Sequence, residues 1–241
     1  DRLELFLPDE RTDYPAAPAG APLTMAVYED QDFLVVNKPA DMPVHPSPGH
    51  DLDSLVSAVA GHCLRTGQAY RIRPLYRLDK DTSGLLPIAK HKVAAGAKLS
   101  KLYLAVCQGI LDGSGVINAP IGLKDGSKIQ RQVRPQGQPS VTRWRALARS
   151  DGHTLIALRL DTGRTHQIRV HMAHIGRPLA GDDLYGGELS PMGRQALHMH
   201  RLHISCPALL TDLSLCQAPP KDMLEAFPWV EKYVFSQDTL F

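Results

Sequence analysis

Apolar positions along this chain recur mostly at every second residue or in short unbroken runs, a pattern that predicts many strands and few helices. Met25–Tyr28 and Phe33–Asn37 read as a strand pair joined by the acidic turn Glu29-Asp30-Gln31-Asp32. Gly84–Ala89 reads as another strand, with Pro87 marking an edge or a bulge because proline cannot donate to a ladder. Tyr103–Ile110, Gly115–Ala119, Ile129–Arg134, Val141–Ala148 and Thr154–Leu160 follow as strands separated by Gly, Asp and Ser turns. Leu197–Ser205 and Leu213–Gln217 are the late strands. Helical spacing is rarer. Leu52, Leu55, Val56, Val59 and Cys63 predict a helix ending near Gly67, and a second runs from about Thr165 to Ile175, stopped by Gly176 and Pro178. Asp222–Tyr233 reads as a closing helix. Strands in runs with few helices predict an α+β fold: a large mixed, mostly antiparallel central sheet with flanking helices and loops.

The loop Lys38–Gly49 holds Pro39, Pro43, Pro46 and Pro48, which excludes a helix there. Asp1–Leu7 alternates as a short strand, and Pro8–Pro22 is a Pro, Ala and Gly-rich linker, so residues 23–241 form the main domain. Hydrophobic residues make up 43% and charged residues 22%, ordinary for a soluble domain. No stretch approaches the ~20 apolar residues that span a bilayer, and the opening Asp1-Arg2-Leu3-Glu4 is not a signal peptide. A cytoplasmic protein without a membrane partner is expected. Cys63, Cys107, Cys206 and Cys216 lie far apart with no Cys-x-x-Cys spacing, so they read as reduced thiols.

The net charge is only +2, but its distribution is uneven. Lys124, Lys128, Arg131, Arg134, Arg143, Arg145 and Arg149 face one acid, Asp125, in their stretch, whereas the chain up to Asp32 is rich in carboxylates. Such a basic stretch can neutralise a phosphate backbone or simply form a solvated strand face.

Two strings carry candidate chemistry. In Tyr76-Arg77-Leu78-Asp79-Lys80-Asp81-Thr82-Ser83-Gly84 an apolar approach ends in a tight polar turn, which places Asp79 where a strand meets a loop. The blander alternative is a turn aspartate capping backbone N–H groups. In Asp161-Thr162-Gly163-Arg164-Thr165-His166-Gln167-Ile168-Arg169-Val170-His171-Met172, Thr162 or Thr165 can cap the helix, and Ile168, Met172 and Ile175 form its buried stripe. Arg169 lies at the edge of that stripe. A buried arginine needs an anionic partner, and Asp79 is the expected one.

Three other classes are weaker. His166, His171 and His174, with His198, His200 and His203, lack a His-Glu-x-x-His pattern or cysteine pairs, so no metal is expected. Asp79 and Asp81 share one turn, whereas glycoside hydrolysis needs two opposed carboxyl groups about 5–10 Å apart. A non-catalytic RNA-binding module would keep the basic stretch without needing Asp79 and Arg169 together.

Taken together, these strings resemble the RluA-type pseudouridine synthases. Lys101-Leu102-Tyr103-Leu104-Ala105 resembles the family's tyrosine motif, and Asp32–Pro39 with Val44-His45-Pro46 its opening strand and loop. Gly176–Asp182 and Leu197-His198 follow in the family's order. The resemblance, over about Leu23 to Pro220, implies an isomerase that converts uridine to pseudouridine in RNA. It implies Asp79 as the catalytic aspartate, Tyr103 stacking on the target base, and Arg169 paired with Asp79. Arg77 would fill the gap left in the RNA, and Leu197 would line the base pocket. Lys128, Arg131, Arg134, Arg164 and His166 join the expected RNA-binding set. The enzyme must extrude the nucleotide and hold its ring on an aromatic face. One carboxylate then takes the C2′ proton, attacks C1′ or adds to C6. Because the nucleotide is only rearranged, no cofactor is expected. Ribosomal RNA is the first expected substrate, transfer RNA the second, and a monomer the expected state. Tyr76, Pro87 and the short segment Lys92–Ser100 depart from the family pattern, and Asp1–Pro8 resembles the tail of a preceding RNA-binding domain.

Overall fold

The computed structural model describes residues 14–16, 23–47 and 49–234. The expected strand Asp1–Leu7 and most of the Pro8–Pro22 linker lie outside the described residues. The chain divides into two compact units, one built up to Leu99 together with His203–Ser214, the other from Ser100–Leu202 and the chain from Leu215 on.

In the first unit, β1 (Ala26–Glu29) pairs antiparallel with β2 (Phe33–Lys38), as the acidic turn predicts. Asp30 makes that turn: its carboxylate accepts the N–H groups of Asp32 and Phe33 at 2.8 and 2.6 Å. β2 in turn pairs with β4 (Ser83–Ala89). Phe33, Leu34, Val35 and Val36 are fully buried, so the run is covered on both faces, unlike a half-solvated strand. Helix α1 (Leu55–Thr66) starts at the Ser54 cap and ends on Gly67 in the left-handed conformation, burying Leu55, Val56 and Val59. Leu52 falls outside it and is exposed.

Pro87 is not at an edge. β4 has β2 along one side and the short β3 (Arg73–Pro74) along part of the other. The N and C=O of a strand residue point to the same side, and the Pro87 carbonyl accepts the Leu75 N–H at 2.9 Å. The missing donor therefore faces that partly covered side and leaves the β2 ladder intact.

In the second unit β5 (Lys98–Gln108), β10 (His153–Leu160), β9 (Val141–Ser150) and β6 (Ser114–Asn118) form an antiparallel series in that order; the boundary between units falls near the start of β5. The β9–β10 hairpin turns on Asp151 and Gly152, with φ of 50° and 74°, the pair of left-handed residues that a two-residue hairpin turn requires. The expected strand Ile129–Arg134 shortens to β8 (Arg131–Val133), and its partner β7 (Ile121–Leu123) was not predicted. Leu102, Leu104, Val106, Leu155 and Ala157 meet Met223, Phe227 and Val230 in one core cluster, each large aliphatic contributing roughly 1.5–3 kcal/mol by its burial.

The expected helix Thr165–Ile175 is α2 (Gln167–His174), and its start is not capped by a threonine. No side chain caps it; the Gln167 Oε1 instead accepts the Thr162 hydroxyl at 2.9 Å and the Arg164 N–H at 3.0 Å, which braces the loop leading into the helix. The expected closing helix is broken. α3 (Lys221–Ala226) stops at Phe227 because Pro228 forces its predecessor out of the helical region, and α4 (Glu231–Val234) follows a tight turn. Late strands β11 (Leu197–Cys206) and β12 (Thr211–Cys216) match expectation within a few residues. The fold is α+β, and no helix among the described residues is long and apolar enough to cross a membrane.

Candidate active site

Asp79 sits in a loop whose backbone is tied down on both sides. Leu78 before it is buried, and the Asp79 carbonyl accepts the Thr82 N–H at 3.1 Å, closing the turn. The next carbonyl, that of Lys80, accepts both the Met42 N–H at 3.2 Å and the Lys38 ammonium at 2.9 Å. Lys38 has no solvent exposure, and its Nζ also donates to the carbonyls of Pro39 and Met42, at 2.7 and 2.8 Å. A loop with four prolines is short of N–H donors, and one buried ammonium with three protons serves two of its carbonyls and the Lys80 carbonyl of the Asp79 loop. The Tyr76 hydroxyl donates to the Leu85 carbonyl of β4, so this departure from the family pattern secures the approach to the loop. The Asp79 side chain is half-buried and Arg77 is exposed. Arg77 lies close enough to His45 that its charge adds to burial in holding that imidazole below its usual pKa.

The second unit carries Tyr103, Arg169 and Leu197. Tyr103 stands on β5 opposite Leu158 and is 5% exposed; Leu197, at the start of β11, is equally buried. Arg169 is buried on α2, and the anionic partner described for it is Asp182. Nε and Nη2 donate to the two carboxylate oxygens at 2.7 Å each, a planar fork-on-fork pair with both groups below 10% exposure. The guanidinium also lies over the Tyr185 ring, 5.0 Å from its centre. The Tyr185 hydroxyl reaches His166 Nδ1 at 2.8 Å and accepts the Arg131 backbone N–H at 3.0 Å. His166 itself takes the left-handed conformation at φ 56°, a position rare for a residue with a Cβ. Gly181, just before Asp182, is obligatory: at φ 78° a Cβ would lie 1.9 Å from the Arg194 carbonyl oxygen.

The basic stretch is less uniformly cationic than its sequence. Arg134 donates to Asp125 at 2.8 Å and to the Leu123 carbonyl at 2.9 Å, so it also braces the β7–β8 connection. Arg143 pairs with Asp161, and Arg149 with Asp112. Lys128 and Arg164 are exposed, and Arg131 is half-buried.

The histidines serve hydrogen bonds inside the fold. Buried His171 meets the Thr142 hydroxyl at 2.8 Å and donates from Nε2 to the Ala119 carbonyl at 2.9 Å. Burial holds its pKa below the usual value, against the pull of that carbonyl. His198 and His200 both reach the Gln217 carbonyl, at 3.1 and 2.6 Å. Among the described residues no three side chains are grouped to hold a metal ion. The four thiols are unpaired, and burial pushes Cys107 up to about 12.

His198 gives a pH prediction. Burial pushes its pKa down to about 3, only partly offset by the Gln217 carbonyl, whereas in an unfolded chain it titrates near 6.5. The unfolded state therefore binds the extra proton. Stability is fully present above pH 6.5 and falls as the pH drops toward 3, by up to about 1.4 kcal/mol per pH unit. Denaturant midpoints of the wild type should fall between pH 6.5 and 5, and His198→Gln should flatten that decline. An equal slope in both proteins would show that His198 is not the titrating group.

Lys38, Asp182 and Tyr185 were not singled out from the sequence. A lysine closing an apolar strand and followed by a proline-rich loop was the available signal for the first. For the others it was an Asp and a Tyr following a glycine that tolerates no side chain.

The family model for RNA pseudouridylate synthase matches residues 32–174. Relatives include an uncharacterized RNA pseudouridine synthase, YjbO, of Bacillus subtilis, 37% identical over 92% of this chain and 82% of its own length. The ribosomal large subunit pseudouridine synthase D of Pasteurella multocida is 37% identical over 92% of this chain and 76% of its own. Among solved structures, human RNA pseudouridylate synthase domain containing 1 superposes with a TM-score of 0.65 at 28% identity, covering 88% of this chain and 94% of that one. Motif, fold and relatives agree, and the chain belongs to the RNA pseudouridine synthase family.

Proposed function

We propose that this enzyme isomerises uridine in large-subunit ribosomal RNA, with Asp79 as the carboxylate that begins the rearrangement. The observation that carries the reading is the Asp79 loop. It presents one half-buried carboxylate on a backbone fixed by Lys38, Met42 and Thr82, which is how a reactive group is kept in position without a lid. Uracil must leave the RNA stack, detach from C1′ and rejoin through C5. Tyr103 is proposed to face the extruded base, Arg77 to occupy the space it vacates, and Leu197 to line the base pocket. Arg169 is proposed as the counter-charge of Asp79. Its guanidinium has five N–H donors, of which Asp182 takes two, and that pair fixes the plane in which the others point. The large-subunit substrate is supported by relatives named for it.

Bond formation at C5 expels the hydrogen there, so tritium release from C5-labelled uridine reports turnover. Unmodified large-subunit transcript labelled in this way should release tritium in proportion to enzyme turnover, and a transfer RNA pool should release none. Release from transfer RNA alone would overturn the ribosomal assignment.

A further inference from the structure

The second unit has an open cavity of about 240 Å3, walled by β7, by Arg131 of β8, by the turn Gln136–Gln138 and by Arg164. No carboxylate lines it. The acids nearest in sequence are engaged elsewhere, Asp125 by Arg134 and Asp161 by Arg143. Among the described residues the Arg131 side chain has no hydrogen bond or ion pair, and Arg164 has one, from Nε to the Pro139 carbonyl at 3.2 Å. Two arginine forks without carboxylate partners in an acid-free recess form an anion site, and the planar fork suits phosphate.

The walls are rigid. Gln138 exchanges backbone hydrogen bonds with Ile121, at 2.8 and 3.0 Å, so the turn lies flush on β7. A Cβ on Gly137 would come within 2.5 Å of the Ile121 carbonyl carbon, which leaves glycine as the residue that permits this closeness. Behind β8, the Tyr185 hydroxyl holds the Arg131 N–H, and Gln130 donates to the Leu184 carbonyl at 2.8 Å. The backbone of the site is therefore in place before any ligand arrives, which lowers the ordering cost of binding.

Its size falls below the roughly 300–1,000 Å3 of a typical small-molecule pocket, and it fits one phosphate with its attached sugar or base rather than a duplex. Gln136 and Gln138 add amides that both donate and accept, the groups needed along the edge of an unpaired base. We infer that this cavity is a subsite for one unpaired nucleotide of the RNA, with Arg131 and Arg164 holding its phosphate and the two glutamine amides facing its base. The inference rests on the reading of the chain as an enzyme acting on RNA.

The test measures binding of fluorescent octauridylate against salt, which needs no turnover. The Arg131→Gln/Arg164→Gln protein should bind about tenfold more weakly at 0.1 M salt, and its salt slope should fall by about 0.7, the value for one phosphate of a single strand. Arg65→Gln, on exposed α1 surface, should leave both unchanged. Gln136→Ala/Gln138→Ala should weaken binding and keep the slope. Wild-type affinity and slope in the arginine variant would overturn the subsite. So would complete displacement of the oligonucleotide by inorganic phosphate at matched ionic strength, which marks a free-anion site. A wild type that binds octauridylate with these dependences but releases no tritium from ribosomal RNA would sink the proposed function and leave the subsite standing.

Discussion

Asp79→Asn should all but abolish tritium release from C5-labelled ribosomal RNA, a loss of up to about 10⁴-fold, while leaving the fold and RNA affinity near wild type. The substitution is nearly isosteric. The loop contacts that position residue 79 are made by the backbone of Asp79 and Lys80, by Met42 and by Lys38, and an asparagine keeps all of them. What it removes is the negative charge and the basicity. Whichever route the rearrangement takes, at C2′, C1′ or C6, it asks a carboxylate to act, and a neutral amide can neither accept the proton nor form the ester. Asp81 lies in the same turn but is two residues further on, so Asp81→Asn should keep substantial activity. Normal tritium release by folded Asp79→Asn would remove Asp79 from the chemistry. Loss of activity in Asp81→Asn alone would move the role to that residue.

The parts of this molecule that were legible in its sequence are those whose cause is local. The β9–β10 hairpin follows from Asp151-Gly152, where a turn needing positive φ meets residues that tolerate it. The strand pair around Asp30 follows from a side chain that hydrogen-bonds its own turn. What escaped depends on partners distant in sequence or on elements too short to show a period. β7 has only the residues Ile121–Leu123 and is specified by pairing on both sides, with β8 and with Gln138. The basic stretch reads as a nearly continuous cation source, broken only by Asp125, until Asp112 and Asp161 from outside it are seen against it. Pro87 reads as an edge or a bulge in the sequence, because the side of a strand that a missing N–H faces cannot be read from composition. Pro228, by contrast, was a visible stop inside the expected closing helix. Arg169 reads in the sequence as an arginine at the edge of a buried stripe, and Asp182, which it grips, lies in a loop with no periodicity to announce it.

That pair makes the largest stability prediction. Asp182→Asn should cost about 3–5 kcal/mol, because it leaves a buried guanidinium facing a neutral amide whose NH2 can only oppose it. Against a total stability of roughly 5–15 kcal/mol this is a shift that denaturant titration resolves easily. Replacing both members by apolar residues of similar volume, Arg169→Met with Asp182→Leu, should recover part of the loss, since neither member of the pair is then left buried without the other. The same double variant should not recover turnover, because the proposed counter-charge of Asp79 and the plane in which it is held are both gone. Stability and activity are thereby separated in one series. A single Asp182→Asn protein within about 1 kcal/mol of wild type would show that water reaches the guanidinium, and that the pair is not what orients Arg169.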